Sequence, residues 1–299
     1  MTELPTELPH VPYVHHRVRI DDDVVLAAQV VGAGPTVLVA NGIGLTTPVL
    51  DFLVDHLRRS HRVICWDYRG AGRSRLLRDD APLHMPRHAE DALALLRYFQ
   101  VDAAAVVGWS MGVPVGLEMI RRDPRRVVGL AALFGSPGPP FRAAFPDPLA
   151  NVAEGSFAVA ERWPSPLMAT VRLSKIVKPL AWNVCYGIRF TGHRTHRHLF
   201  HCCVANVVQA DSAAYLRTLM HLLEHDSRDV LDRVGCPVLA VAGTDDWVTP
   251  LQAALEIARR VREARWLLLP DTSHFGPLEE GPRLYRAIDE LLGRSFRPG

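Results

Sequence analysis

The sequence predicts an α/β fold: a mostly parallel, doubly wound eight-stranded sheet with an inserted helical cap. Short apolar runs of strand length alternate with helical patterns along most of the chain, which is typical of a parallel sheet covered on both faces. Between residues 139 and 228 the strand signals stop, and helical patterns separated by prolines replace them. The 299 residues are 48% hydrophobic, which is enough for a large core.

Short apolar runs that are bounded by turn residues predict the strands. Residues 14–20 and 24–31 are valine-rich runs joined through three consecutive aspartates, so we expect a hairpin. Six further apolar runs are predicted to be strands, at residues 36–40, 61–66, 104–107, 127–134, 237–242 and 265–269. Helical patterns separate them at residues 49–59, 87–99, 113–122, 251–261 and 283–292.

These elements divide the chain into two predicted domains. Residues 1–138 and 229–299 form the α/β core, and residues 139–228 form the cap, which begins at Pro137-Gly138-Pro139-Pro140. The candidate cap helices are residues 149–162, 167–184, 195–208 and 212–225. Insertions at the carboxyl ends of the strands cover the ligand crevice of such sheets, so we expect the cap to shape a substrate pocket.

The charge distribution narrows the possible partners. The formal net charge is +2 and no basic block is interleaved with aromatic residues, which gives no reason to expect a nucleic-acid partner. The start of the chain lacks the basic and apolar segments of a signal peptide, and no apolar run reaches membrane-spanning length. We therefore expect a cytoplasmic protein, either a monomer or a homodimer, with a small-molecule substrate.

The segment Gly108-Trp109-Ser110-Met111-Gly112 carries the clearest chemical signal. It lies where a strand gives way to a helix, so Ser110 is predicted to occupy a tight turn that needs φ > 0 near the nucleophile. The glycines on either side remove the Cβ atoms that would collide with the strand and the helix. The pattern therefore predicts an exposed serine nucleophile.

A serine nucleophile needs a base, and the base needs an acid that orients it. Asp245 and Asp246 follow the strand at residues 237–242, and His274 follows the last strand. All of these groups leave their strands at the same edge as Ser110, in the chain order serine, acid, histidine. This order leaves both acids open as the partner of His274.

Together these motifs resemble the α/β-hydrolase fold superfamily, in its cap-bearing branch of esterases and haloperoxidase-like enzymes, over nearly the whole chain. The family pattern Gly-x-x-Asp-x-x-x-Pro matches Gly243, Asp246 and Pro250, which favours Asp246 over Asp245 as the catalytic acid. Ser273-His274-Phe275 is similar to the family's Gly-His-Phe segment. The resemblance thus implies a triad of Ser110, Asp246 and His274.

The resemblance also implies an oxyanion hole. Met111 follows the nucleophile and supplies one backbone N–H, and Ile43 in Asn41-Gly42-Ile43-Gly44 matches the second donor. The chain departs from the family at Asn41, where a histidine is usual. That replacement leaves the backbone donor in place but puts the hydrogen bonds that support the loop in doubt.

The function that follows is hydrolysis of a carboxylic ester, or a related acyl compound, through an acyl-enzyme, without a metal or other cofactor. A thioesterase, a lactonase, a carbon–carbon bond hydrolase, a perhydrolase and an acyltransferase use the same triad and stay open, as does a receptor-like or lyase function. A serine in place of an aspartate nucleophile argues against the dehalogenase and epoxide-hydrolase relatives.

Several aromatic residues are candidates for the substrate pocket. Trp109, Trp247 and Phe275 flank the predicted triad, although core packing explains their positions equally well. Apolar residues of the cap predict an apolar portion in the substrate: Leu167, Met168, Trp182, Phe190 and Phe200. Four cap histidines have spacing that could hold a metal, but the arginines among them favour a solvated basic helix: His193, His196, His198 and His201.

Overall fold

A single sheet forms the centre of the computed structural model, which describes residues 4–5, 7–139, 178–187 and 190–296. Nine strands belong to this sheet in the described chain. They are β1 (Val14–Arg19), β2 (Val24–Val31), β3 (Thr36–Ala40), β4 (Arg62–Trp66), β5 (Arg75–Leu76), β6 (Ala104–Trp109), β7 (Val127–Leu133), β8 (Val238–Gly243) and β9 (Ala264–Leu269).

The strand order across the sheet is β1-β2-β4-β3-β6-β7-β8-β9. The six strands from β4 to β9 in this order pair in parallel, whereas β2 pairs antiparallel with β1, β4 and β5. The order along the chain reverses between β3 and β6, which are neighbours with Ala40 opposite Gly108. Ligands of open α/β sheets bind at such a switch point, beyond the carboxyl ends of the strands.

Helices cover both faces of the sheet. They are α1 (Asp51–Leu57), α2 (Met85–Tyr98), α3 (Gly112–Arg122), α4 (Lys178–Gly187), α5 (Arg197–Gln209), α6 (Ser212–Glu224), α7 (Leu251–Arg260) and α8 (Pro282–Ser295). Side chains of β3 alternate between two apolar clusters. One cluster contains Leu38 with residues of α2, α3 and α7, and the other contains Val39 with residues of α1 and α8. This alternation, with a period of two residues, places a helical layer on each face.

The predicted fold class is confirmed: the sheet is mostly parallel, doubly wound and covered by helices. All eight predicted strands are present, with ends that differ by at most two residues. The ninth strand, β5, has only two residues and lies in the loop after β4, where no apolar run marks it. It forms because that loop returns alongside Val24 and Val25 of β2.

The described residues between β7 and β8 form helices α4, α5 and α6. The predicted helices at residues 195–208 and 212–225 correspond to α5 and α6, and α4 overlaps the end of the predicted helix at 167–184. The predicted helix at 149–162 lies outside the described residues. In the described segments, none of the helices combines the length and apolar character needed to cross a membrane.

Candidate active site

Ser110 lies on the turn between β6 and α3, with a φ of 54°. This left-handed conformation is rare for a residue with a side chain, and such outliers persist where the surrounding structure holds them. The backbone N–H of Ser110 donates to Leu133 O at 2.9 Å, and Val113 N donates to Ser110 O at 3.0 Å. The turn is therefore fixed to β7 on one side and to the start of α3 on the other.

The two glycines of the motif are required by close backbone contacts. A Cβ at Gly108 would overlap the carbonyl of Gly112, and a Cβ at Gly112 would overlap the carbonyl of Ala40 at the end of β3. The absence of a side chain at Gly112 allows the turn at Ser110, the nucleophile elbow, to pack against β3, and its absence at Gly108 allows the end of β6 to approach the start of α3.

Gly112→Ala is accordingly expected to destabilise the protein by about 3 kcal/mol, because the methyl group has no space beside the Ala40 carbonyl. Gly293→Ala is the matched control, since Gly293 lies in α8 with nothing within 4 Å of an added Cβ. That change should stabilise the protein by about 0.4–1 kcal/mol. Thermal unfolding of the two variants tests the difference, and equal melting temperatures would contradict the tight packing of the elbow.

His274 connects Ser110 to an acid. Its Nε2 lies 3.0 Å from Ser110 Oγ, and its Nδ1 lies 3.1 Å from Asp246 Oδ2. The indole N–H of Trp109 donates to the backbone oxygen of His274 at 3.1 Å, which fixes the loop that carries the imidazole. The side chains of His274 and Asp246 are 10% and 0% exposed, so their interaction is shielded from water.

Asp246 is held by its own turn. Its Oδ1 accepts from the backbone N–H groups of Val248 and Thr249 at 3.0 and 2.9 Å, and its Oδ2 accepts from Thr249 Oγ1 at 2.7 Å. Asp245 lies differently: its carboxylate accepts from Thr244 Oγ1 at 3.3 Å. The structure therefore brings Asp246, and not Asp245, to the imidazole.

The loop after β3 lies beside the serine. A Cβ added to Gly42 would be 3.7 Å from Ser110 Cβ, and both Ile43 and Met111 contribute to the same cavity wall as Ser110. The Asn41 backbone oxygen accepts from the Tyr68 hydroxyl at 3.0 Å, so Tyr68 supports this loop in the region where the family usually has a histidine. The Asn41 side-chain amide is buried and has no hydrogen-bond partner among the described residues.

The loop after β4 ties neighbouring segments together. Arg69 is buried and forms two hydrogen bonds to Asp91 of α2, at 2.6 and 2.7 Å, and a third to Pro82 O. Asp67 accepts from Arg73 N at 2.9 Å. These contacts hold the loop to α2 and to the segment before it, so Arg69 and Asp67 have a structural role.

A cavity of about 460 Å³ opens at Ser110 and His274. Its remaining walls are mostly apolar and come from the core as well as from α5 and α6. They include Ile43, Leu45, Met111, Pro114, Phe190, Phe200, Val204, Val207, Val208, Tyr215, Leu216, Leu219, Leu222, Leu223, Val248 and Phe275. An apolar cavity with a few polar groups at one point is typical of a small-molecule site.

The aromatic candidates separate into two groups. Trp109 and Phe275 line the cavity, but the described lining does not include Trp247, which is 38% exposed and whose ring centroid lies 5.7 Å from that of Phe190. Trp182 packs edge-to-face against Phe200 at 5.4 Å, behind the cavity wall. Leu167 and Met168 lie outside the described residues.

Two buried glutamates that sequence reasoning missed hold the His274 loop. Glu279 accepts hydrogen bonds from Ser273 N at 2.9 Å and from Ser273 Oγ, and it also accepts from Thr195 Oγ1 at 2.6 Å. Glu280 pairs with Arg194 at 2.6 Å. The segment before α5 is thus bonded directly to the loop that positions His274. In the sequence, the one signal for this role is that Glu279 and Glu280 follow shortly after Ser273-His274-Phe275.

Of the four histidines with metal-like spacing, His193 and His196 precede α5, and His198 and His201 lie in its first five residues. His193 and His198 are exposed, and the His196 side chain caps the helix by accepting from Leu199 N. Within the part of the chain that the structure describes, no three His, Cys, Asp or Glu side chains are placed to hold a metal ion.

Comparisons with known proteins match this chain to an alpha/beta hydrolase family model over residues 21–288. RutD of Caulobacter sp. (strain K31), named for carbamate hydrolysis, is 27% identical over 243 residues, covering 80% of this chain and 83% of RutD. The pimeloyl-[acyl-carrier protein] methyl ester esterase of Aromatoleum aromaticum is 31% identical over 176 residues, covering 58% of this chain and 67% of the esterase. A thermophilic esterase from Thermogutta terrifontis superposes with a TM-score of 0.73 at 22% identity, over 95% of this chain and 99% of that one, so the folds are alike.

Proposed function

Because the chain belongs to the alpha/beta hydrolase family, we propose that it is a serine hydrolase that cleaves a carboxylic ester through an acyl-enzyme. The observation that carries this proposal is the continuous hydrogen-bonded chain from Ser110 through His274 to Asp246, with distances of 3.0 and 3.1 Å. A hydroxyl beside an imidazole, which in turn lies beside a buried carboxylate, is the arrangement that activates a serine for acyl transfer.

In this mechanism His274 Nε2 takes the Ser110 proton as Ser110 Oγ attacks the ester carbonyl. Asp246 accepts a hydrogen bond from Nδ1, which keeps Nε2 free of its proton in the resting enzyme and stabilises the imidazolium that forms. His274 then returns the proton to the departing alcohol, and an ester between Ser110 and the acyl group results. Water activated by His274 hydrolyses that ester and restores the serine.

The backbone N–H groups of Ile43 and Met111 are proposed to hold the oxygen that becomes negative in both steps. Their place in the cavity wall beside Ser110 supports this role. These donors belong to the loop after β3 and to the start of α3, so they need little rearrangement during the reaction. Donors that are already in position stabilise a developing negative charge most effectively. No cofactor is required for this chemistry.

Two observations favour an ester with an apolar portion as the substrate. The walls of the cavity beyond Ser110 and His274 are mostly aliphatic and aromatic. The relative from Aromatoleum aromaticum is named for cleavage of a methyl ester on an acyl group. An apolar chain in this cavity would gain about 0.8 kcal/mol for each methylene removed from water.

We also propose that residues 139–228 form a cap domain over the core of residues 1–138 and 229–299. Support comes from α5 and α6, which contribute Phe200 and Leu219 to the cavity opposite the residues of the core. The hydrogen bond that Glu279 accepts from Thr195 and the ion pair of Glu280 with Arg194 would then hold the cap against the His274 loop.

The proposed function predicts turnover of p-nitrophenyl esters of short to medium chain length, with kcat/KM rising as methylenes are added until the cavity is filled. The same series should be compared with acyl-CoA thioesters and lactones, since these substrates distinguish an esterase from the related hydrolases. Higher kcat/KM on thioesters or lactones than on every ester would replace the proposed substrate class. No turnover of any of them would contradict hydrolysis.

A further inference from the structure

Tyr215 of α6 packs against the loop that carries one proposed oxyanion donor. A Cβ added to Gly44 would lie 2.6 Å from Tyr215 Cε2 and 2.8 Å from Tyr215 Cδ2. Cε2 is the ring carbon next to the one that bears the hydroxyl, so the hydroxyl end of the ring lies at this loop. Tyr215 also borders a narrow gap together with Ile43, Gly44 and Met111. The ring is therefore beside both segments that supply the proposed oxyanion donors.

The side of α6 that carries Tyr215 faces the cavity. Five residues on this side line the cavity, with the spacing of three to four residues that places side chains on one helix face: Tyr215, Leu216, Leu219, Leu222 and Leu223. The leucines continue this face for about two turns beyond Tyr215. A substrate bound at Ser110 would thus meet the Tyr215 ring beside the oxyanion loop and hydrocarbon further along α6.

The Tyr215 hydroxyl is available to a ligand. Among the residues that the structure describes, none forms a hydrogen bond with it. The hydroxyl is also absent from the polar atoms that the protein encloses without a partner, so it opens onto accessible space, and Tyr215 lines the cavity. Burial of the side chain raises the pKa of Tyr215 to about 12, so the hydroxyl keeps its proton and can donate a hydrogen bond.

Other polar side chains of the described lining are already engaged. Ser136 accepts from a backbone N–H at 3.3 Å, Thr249 donates to the carboxylate of the proposed triad at 2.7 Å, and the His225 ring lies 3.3 Å from a glutamate of α3. Of the hydroxyl groups in the described lining, that of Tyr215 is the one without a protein partner.

We infer that Tyr215 determines specificity by donating a hydrogen bond to a second oxygen of the substrate, an ether, keto or hydroxyl oxygen close to the ester group. In the proposed mechanism two backbone N–H groups serve the carbonyl oxygen, which leaves the Tyr215 hydroxyl for a neighbouring one. A substrate without that oxygen would displace water from the hydroxyl and leave it unpaired in an apolar cavity, which is unfavourable. This inference rests on the proposed esterase function.

The test compares esters of equal length in which one oxygen replaces a methylene. One pair differs in the acyl chain, p-nitrophenyl methoxypropanoate against p-nitrophenyl pentanoate, and the other differs in the alcohol, methoxyethyl butanoate against butyl butanoate. Tyr215→Phe removes only the hydroxyl, and it should lower kcat/KM about tenfold on the ether member of at least one pair. The hydrocarbon member of that pair should change by less than about twofold. The intrinsic reactivity of each ester cancels when the variant is divided by the wild type.

Tyr98→Phe is the matched control, because Tyr98 is exposed at the end of α2 and lies outside the described cavity lining. It should leave all four kcat/KM values unchanged. Equal losses on the ether and hydrocarbon members of both pairs in Tyr215→Phe, or no loss on any ester, would overturn the inference.

A second comparison uses the wild-type protein alone. With kcat/KM divided by the rate constant for hydroxide-catalysed hydrolysis, the ether member should be preferred in at least one pair, and a preference for the hydrocarbon member in both pairs would overturn the inference. Covalent labelling of Ser110 by a fluorophosphonate needs no second oxygen. A wild-type protein that cleaves none of the four esters and is not labelled would instead overturn the esterase proposal.

Discussion

His274→Ala is expected to lower kcat on a p-nitrophenyl ester by a factor on the order of 10⁶, because it removes the only base within hydrogen-bond distance of Ser110 Oγ among the described residues. Ser110→Ala should produce a loss of similar size. The double variant should be no slower than either single one, since a nucleophile without its base and a base without its nucleophile are equally inactive. Burst and steady-state kinetics on the purified proteins measure these losses.

His198→Ala is the matched control for the histidine change, because His198 is exposed at the start of α5. It should retain wild-type kcat. Losses that multiply in the double variant would show that Ser110 and His274 act independently, which contradicts the proposed triad.

Asp246→Asn is expected to lower kcat by about 10⁴-fold. An amide at this position can donate a hydrogen bond to Nδ1, which favours the imidazole tautomer that carries its proton on Nε2 and cannot accept the serine proton. Asp245→Asn is the matched control, since the Asp245 carboxylate bonds to Thr244 and lies outside the chain of contacts to Ser110. Its kcat should stay close to that of the wild type.

Melting temperatures of both aspartate variants separate a loss of catalysis from a loss of fold. Asp246 accepts from the backbone of Val248 and Thr249, so a modest decrease in stability is expected for Asp246→Asn even though its side-chain volume is retained. Equal decreases in kcat at the two positions would contradict the assignment of Asp246 as the acid.

The fold could be predicted because its strands are short, valine-rich and separated by helices with clear amphipathic periods. Strand β3 shows why this works: every residue is buried, and successive side chains enter opposite clusters. The turn at Ser110 could also be predicted, because glycine at positions 108 and 112 is required where the backbone of neighbouring segments leaves no space for a Cβ atom. Both the strand periodicity and the glycine spacing are local properties, so they are visible in the sequence without knowledge of tertiary contacts.

Other features depend on contacts that local sequence does not reveal. A family pattern favours Asp246 over Asp245 as the acid. In the structure this choice depends on the position of His274, which lies 28 residues further along the chain than Asp246. Trp247 is adjacent to Asp246 yet lies outside the described cavity lining, because neighbouring residues in a turn point in different directions.

The most direct test of the account is intact-mass analysis after reaction with a fluorophosphonate probe. The wild-type protein is expected to gain the mass of one phosphonyl group, and peptide mapping should place it on Ser110, because only an activated serine attacks phosphorus at a useful rate. Ser110→Ala should remain unmodified under the same conditions. An unmodified wild-type protein, or an adduct that persists in Ser110→Ala, would contradict the central claim that Ser110 is the nucleophile.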